Sequence, residues 1–478
     1  MKKIAPCLLL LVFLQTAMPA GAQTASIEDE IVAGNFSAAR VLINQTIVDP
    51  ATSPATAWDL LLRREQLDRI ELDFNAPEDQ VMAFIKRYYP NVTPEQIVQW
   101  KADKSLEVMT IDGKERYFRN AASNLFRIDK EAAARKLAVD GVVHDSTNIC
   151  LAEHLPKLMA AATASGTPYN LEPKRMLVTF TLTVPANTVP EGEVLRCWLP
   201  YPHQNHRRQT DIELTGSNLV NPVISPVEYK HSSIYSEKTT AKDEPTVFQI
   251  QFRYTSSGEY FDLSKFDIKP YDTNLELYKE YTAEREIHII FTDEIKRISE
   301  QFVGDEKDPV QIVRKIFDGI GANYPWASSR EYSTMQNIPG YVIENHHGDC
   351  GMVGLLLVTL CRYNGIPAKW QSGLMMHPDA KNMHDWAEVY FEGVGWVPVD
   401  PSLGQRKFPE NPAINGLLCS GMDSYRWIVN EDYGMAFYPA KIYPRSETVD
   451  FQRGEVEWRG GNLYFSQWRW GFTIEYEN

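Results

Sequence analysis

The sequence predicts an α+β, multidomain protein. Three observations carry this: helical periodicity dominates residues 23–168, strand alternation dominates 169–291, and helices and strands mix beyond 292 before a β-rich tail. At 478 residues the chain is too long for one typical core, so several are expected.

The first residues read as a secretory leader. Met1-Lys2-Lys3 precede an apolar run from Cys7 to Leu14, and Ala20-Gly21-Ala22 supplies small residues at a cleavage site. This defines a signal peptide over 1–22, with Gln23 as the first mature residue. The apolar run is short for a bilayer span, and no later stretch is apolar enough, so the mature chain is expected to have no membrane span. An extracytoplasmic location, periplasm or cell surface, follows. The formal net charge of −15 and a pI near 5.2 argue against nucleic acid and against anionic membrane surfaces as partners.

Residues 23–168 form a mainly helical N-terminal region. Pro77 opens one helix with Val81, Met82, Phe84 and Ile85 as its apolar stripe. Thr93-Pro94-Glu95-Gln96 opens another with a capping box and proline at the first helical position. Leu106–Ile111, Asp112-Gly113 and Lys114–Phe118 read as a hairpin inserted among the helices. No chemistry is legible here, and the sequence favours no role for this region over scaffolding or partner binding. Residues 169–291 change to a β-sandwich-like domain. Val178, Phe180, Leu182 and Val184 alternate with threonines, and Val194–Leu199 and Phe248–Tyr254 are further strands. Pro200-Tyr201-Pro202-His203 reads as a turn.

Residues 292–404 carry the chemistry. Asp308-Pro309 starts a helix bearing Ile312, Val313, Ile316, Phe317 and Ile320. After a loop, Gly348-Asp349 lead into Cys350, and Met352 to Cys361 continue as a buried helix ending near Asn364-Gly365. A cysteine in the first helical turn meets unpaired N–H groups that favour thiolate, the nucleophilic form. Cys361, among apolar neighbours, reads as structural.

His384 lies in an alternating strand that places it with Trp386 and Glu388 on one face and Asp385, Ala387 and Val389 on the other. Asp385 is therefore a poor orienter of His384. Asp400 ends the next short strand, Gly395–Val399, a hairpin partner from which it can fix the histidine tautomer. A thiol, an imidazole and a carboxylate in this setting suit acyl transfer: thiolate attack, protonation of the leaving amine, and orientation of the imidazole.

Four segments, Gly348-Asp349-Cys350-Gly351, Gly365-Ile366-Pro367-Ala368, His384-Asp385-Trp386-Ala387-Glu388 and Trp396-Val397-Pro398-Val399-Asp400-Pro401, together resemble the transglutaminase-like superfamily of papain-related cysteine enzymes. The resemblance covers about residues 305–404. It implies a cysteine on a helix N-terminus packed against an antiparallel sheet that bears His384 and Asp400. It also implies Cys350 as nucleophile, His384 as acid/base and Asp400 as orienter. Peptides or proteins are the implied substrates, cleaved at amide bonds through a thioester, with hydrolysis favoured over cross-linking. A catalytically silent binding module is the alternative.

The oxyanion donor is open between Gln336 and Trp326, beside the Cys350 backbone N–H. No cofactor or metal is expected. A zinc site built from His346, His347, Asp349, Cys350, His377 and His384 is the competing reading, disfavoured because neither a CxxC pair nor a helical HxxxH occurs. Five cysteines follow the leader, an odd number that leaves at least one free thiol, and Cys150 with Cys197 is the candidate bridge. Residues 405–478 return to strands as a β-rich C-terminal extension. Its aromatic series through Trp458, Tyr464, Phe465, Trp468, Trp470, Phe472 and Tyr476 reads as sheet packing.

Overall fold

The computed structural model describes residues 20–477, with side chains from Ser26 onward, so the signal-peptide reading of residues 1–22 falls almost wholly outside the described residues. The architecture is α+β and multidomain. Among the described residues no helix is long and apolar enough to cross a membrane.

The N-terminal helices follow their start signals. Ser53 caps Pro54–Asp73 through the Thr56 N–H, and Thr93 and Gln96 complete a reciprocal capping box on Pro94–Ala102. Phe36, Leu67, Phe74, Ile85, Phe118 and Leu125 pack between the helices as one core. The hairpin Val108–Ile111 with Lys114–Tyr117 lies among them, turning at Asp112-Gly113, both with positive φ. Helix Ser146–Ser165 packs separately, against Leu171, Met375 and the turns around Leu403 and Leu417.

Two five-stranded sheets make the sandwich. One runs Gly421–Met422, Thr246–Tyr260, Leu171–Val184, Arg469–Glu477, with Gln209–Ser217 also on Thr246–Tyr260. The other runs Gly461–Leu463, Glu455–Trp458, Val194–Pro200, Ser233–Thr239, Val223–Ile224. Alternate residues face inward, and Phe180, Leu182, Trp198, Phe248 and Phe252 fill the space between. The segment after 404 thus threads into neighbouring structure instead of forming its own core. Its strands complete both sandwich sheets, and Arg426–Asn430 joins a third.

That third sheet is antiparallel, in the order Gly395–Val399, Ala380–Phe391, Ala368–His377, Arg426–Asn430. Helix Cys350–Tyr363 covers part of one face, with Met352, Leu355 and Leu356 against Trp370, Ala387 and Val389. Further along, Leu374, Met376 and Trp427 run into the sandwich core. The reverse face is sealed differently: Trp386 packs with Met422 and Ile428, and Glu388 pairs with Arg207 at 3.0 Å. From His384 to Val389 the strand Ala380–Phe391 is therefore buried on both sides, and its two faces meet different neighbours.

Candidate active site

Asp349 is the N-cap of helix Cys350–Tyr363. Its carboxylate accepts the Met352 N–H at 3.1 Å, the Ser329 hydroxyl at 2.6 Å and the Tyr332 hydroxyl at 2.7 Å. Cys350 follows in the first turn and keeps partial exposure on a cavity of about 290 Å³. Its Sγ donates to Asp385 Oδ2 at 3.3 Å, and the Tyr332 hydroxyl lies 3.4 Å from the same oxygen. Gly351 makes this approach feasible, because a Cβ there would meet the Tyr332 oxygen at 2.3 Å and Asp385 at 2.8 Å. Burial, then the charges of Asp385 and Asp349, push the Cys350 thiol well above its usual range. The sequence led us to expect the helix start to lower it. The helix start is instead occupied by the Asp349 carboxylate, which adds negative charge next to the sulfur.

His384 and Asp400 meet on the reverse face of the same strand. His384 Nε2 lies 2.7 Å from Asp400 Oδ2. Asp400 Oδ1 accepts the N–H groups of Ser402 and Leu403, and Arg426 approaches Oδ2 at 3.2 Å. Burial pushes Asp400 up, but His384 and Arg426 outweigh it and hold the carboxyl below its ordinary value. Burial lowers His384 more than Asp400 raises it, which leaves the ring below the ordinary histidine value. Arg426 continues the chain to Asp423 at 2.8 Å, and Asp423 meets His377 at 3.0 Å. All these side chains are buried.

Strand alternation thus separates the three predicted residues into two groups. Asp385, on the face opposite His384, is the residue that meets Cys350. No hydrogen bond joins Cys350 to His384 among the described residues, and the two are linked through Gln452, whose Nε2 donates to His384 O and Asp385 Oδ1 at 3.1 and 2.7 Å.

The segment that holds these residues has known relatives. Residues 296–401 match the transglutaminase-like superfamily core. Over 130 residues the chain is 25% identical to the uncharacterized protein YebA of Bacillus subtilis (strain 168), a match spanning 23% of this chain and 18% of YebA. A structure described as a putative cysteine protease from Cytophaga hutchinsonii aligns with 64% of this chain and 91% of its own, at 13% identity and a TM-score of 0.41. The periplasmic domain of TgpA from Pseudomonas aeruginosa aligns with 50% of this chain and 96% of its own, at 10% identity and a TM-score of 0.26.

Around the transglutaminase-like core, Trp326 lines the Cys350 cavity and is about half exposed, with the Arg127 guanidinium 4.9 Å from its ring. Its backbone pairs with Gly348. Gln336 does not reach the cavity: it is exposed beyond the short turn Tyr332–Thr334, next to the capped start of helix Ile338–Asn345. That correction leaves Trp326 and the Cys350 N–H as the oxyanion candidates. The six residues of the zinc reading are dispersed: His377 bonds Asp423, His384 bonds Asp400, and His347 is buried with both ring nitrogens unpartnered. His206, Glu388 and Glu431 converge elsewhere, but Lys369 and Arg207 already pair with those carboxylates. Cys150 and Cys197 are both free, one on helix Ser146–Ser165 and the other in the sandwich core.

Several site residues had no local signal in the sequence. Tyr332 stands in an irregular loop, and Glu447, Asp450, Gln452 and Arg453 reach the cavity from far downstream. Asp385 was visible, but its partner depends on which face the Cys350 helix covers.

Proposed function

We propose that the protein is a cysteine hydrolase acting on amide bonds of peptides or proteins outside the cytoplasm. Cys350 is its nucleophile, His384 its acid/base and Asp400 the orienter. The observation that carries this reading is a partly exposed thiol at a helix start, opening on a polar cavity beside the strand that holds a carboxylate-bound histidine. The leader-like N-terminus supports the compartment.

In turnover, Sγ gives its proton to His384 and attacks the carbonyl carbon. The C–N bond breaks as His384 returns the proton to the amine, and water then cleaves the thioester to release the acid and restore the thiol. Trp326 Nε1 and the Cys350 N–H are the donors available to the oxyanion. In the resting arrangement burial and the charges of Asp385 and Asp349 favour the protonated sulfur. Attack requires a rearranged state in which His384, which lies on the other face of its strand at rest, meets the sulfur.

The contact between Cys350 and Asp385, and the upward push on the thiol, favour a second reading, a silent binding module that keeps the fold. Iodoacetamide labelling across pH, mapped by mass spectrometry in the wild type, Cys350→Ala and His384→Ala, separates the two. The enzyme reading expects Cys350 to react near pH 6 and to lose that reactivity with His384→Ala. Reaction only above about pH 8.5, the range of an ordinary thiol, and indifference to His384→Ala would put the silent module first.

A further inference from the structure

We propose that the Cys350 cavity selects an organic cation: an ammonium or guanidinium group of the substrate seats against Asp450 and Glu447 while its carbonyl meets the sulfur. This deepens the reading of Cys350 as nucleophile and rests on it for its catalytic meaning.

The cavity wall holds five carboxyl groups, Glu331, Asp349, Asp385, Glu447 and Asp450, and the cations around it are committed. Arg119 pairs with Asp73 and Glu331, and Arg453 holds Glu331 at 2.6 Å. Arg330 also lines the cavity, and its guanidinium lies 3.4 Å from Glu107, which does not. Asp349 is fully engaged by its cap and two hydroxyls. Glu447 Oε1 accepts the N–H groups of Thr448 and Val449, while Oε2 has only Arg453, at 3.5 Å.

Asp450 stands apart. It is 6% exposed, it lines the cavity, and among the described residues its carboxylate has no hydrogen-bond or ion-pair partner. The nearby Arg445 donates to the Asp450 backbone oxygen, not to its carboxylate. Buried acceptors are nearly always paired, so this group faces the space a ligand would fill. Burial, together with neighbouring carboxyls, pushes Asp385, Glu447 and Asp450 well above their ordinary values, and a delivered cation would relieve that repulsion.

The spacing excludes a small metal ion as the better fit. Among the described residues the only three ligating groups with atoms within 4.8 Å of one another are His206, Glu388 and Glu431, so the carboxylates here are spread too widely. An ammonium or guanidinium on a flexible stem spans such a gap and fits a cavity of about 290 Å³.

The test needs no turnover, so it can fail separately from the hydrolase reading. Purified protein is treated with 2-aminoethyl methanethiosulfonate, a cation, or 2-sulfonatoethyl methanethiosulfonate, an anion. Rates at Cys350 are read by peptide mass mapping, with Cys150 as the reference thiol on the same chain. The expected result is a cation-to-anion rate ratio at least about tenfold higher at Cys350 than at Cys150, as charged clefts give. Asp450→Asn with Glu447→Gln should lower that ratio towards the Cys150 value, the remainder being due to Asp349 and Asp385, and Asp450→Asn alone serves if thermal melting shows the double variant misfolded. Equal ratios at the two cysteines, no reaction of Cys350 with either reagent, or a preference that the substitutions leave undiminished would overturn the proposal.

Discussion

At Cys350 two influences oppose each other. The helix start draws negative charge to the sulfur, while Asp349 and Asp385 drive it away. Replacing Asp385 with Asn removes one of these charges and keeps the side-chain shape. Labelling of Cys350 should then begin at lower pH than in the wild type, measured in the same alkylation series; an unchanged onset would mean Asp385 carries no charge at rest. His347, three residues before Cys350, gives a second residue-scale prediction. Burial, then Arg330 and His346, lower it to about 4 from 6.5. A depressed histidine contributes stability above pH 6.5 and loses it as pH falls towards 4, because only the unfolded chain takes up the proton there. Both ring nitrogens lack partners. His347→Phe should therefore be as stable as the wild type or more so at pH 7, and should gain on it steadily between pH 6.5 and 4 in urea titrations. What the sequence made legible at this scale was a pair, His384 with Asp400, because strand alternation and a hairpin fix it locally. The partner of Cys350 was not legible, since it depends on how a helix docks on a sheet.

The strand Ala380–Phe391 and its neighbour Arg426–Asn430 carry a buried charge chain from His384 through Asp400, Arg426 and Asp423 to His377. Arg426 is the one cation bonded to both aspartates. Arg426→Leu would leave two buried carboxylates without their partner, and a loss of about 3–5 kcal/mol is expected from chemical denaturation. A loss below about 1 kcal/mol, the range of a surface pair, would show that water enters this layer. Element starts were the most legible part of the sequence: Thr93, Asp308 and Asp349 all cap the helices they were read to open. Arg426 was not, because nothing within its own strand marks it as the counter-ion of an aspartate on another.

Across the whole molecule, long-range pairing dominates. Strand Leu171–Val184 lies between Thr246–Tyr260 and Arg469–Glu477, the last from the far end of the described chain. Deleting residues from 469 onward would open one edge of the sandwich and uncover Phe180, whose ring stacks on Trp470 at 5.8 Å between centroids. Limited proteolysis should then cut within 171–260, where the full chain resists; equal resistance would mean the edge strand is dispensable. The sequence announced the strands of this region by their alternation, but not which ones pair, because register between distant segments leaves no local trace.

The cavity is assembled in the same scattered way, from residues 119–120, 326–332, 349–350, 382–385 and 447–453. A growing chain therefore makes Cys350 after one side of its cavity, residues 119–120 and 326–332, and well before the other, residues 447–453. During that interval Cys350 has Asp349 and Glu331 near it in sequence but neither Glu447 nor Asp450. The cavity is complete only once residues 447–453 have folded against the segments made before them.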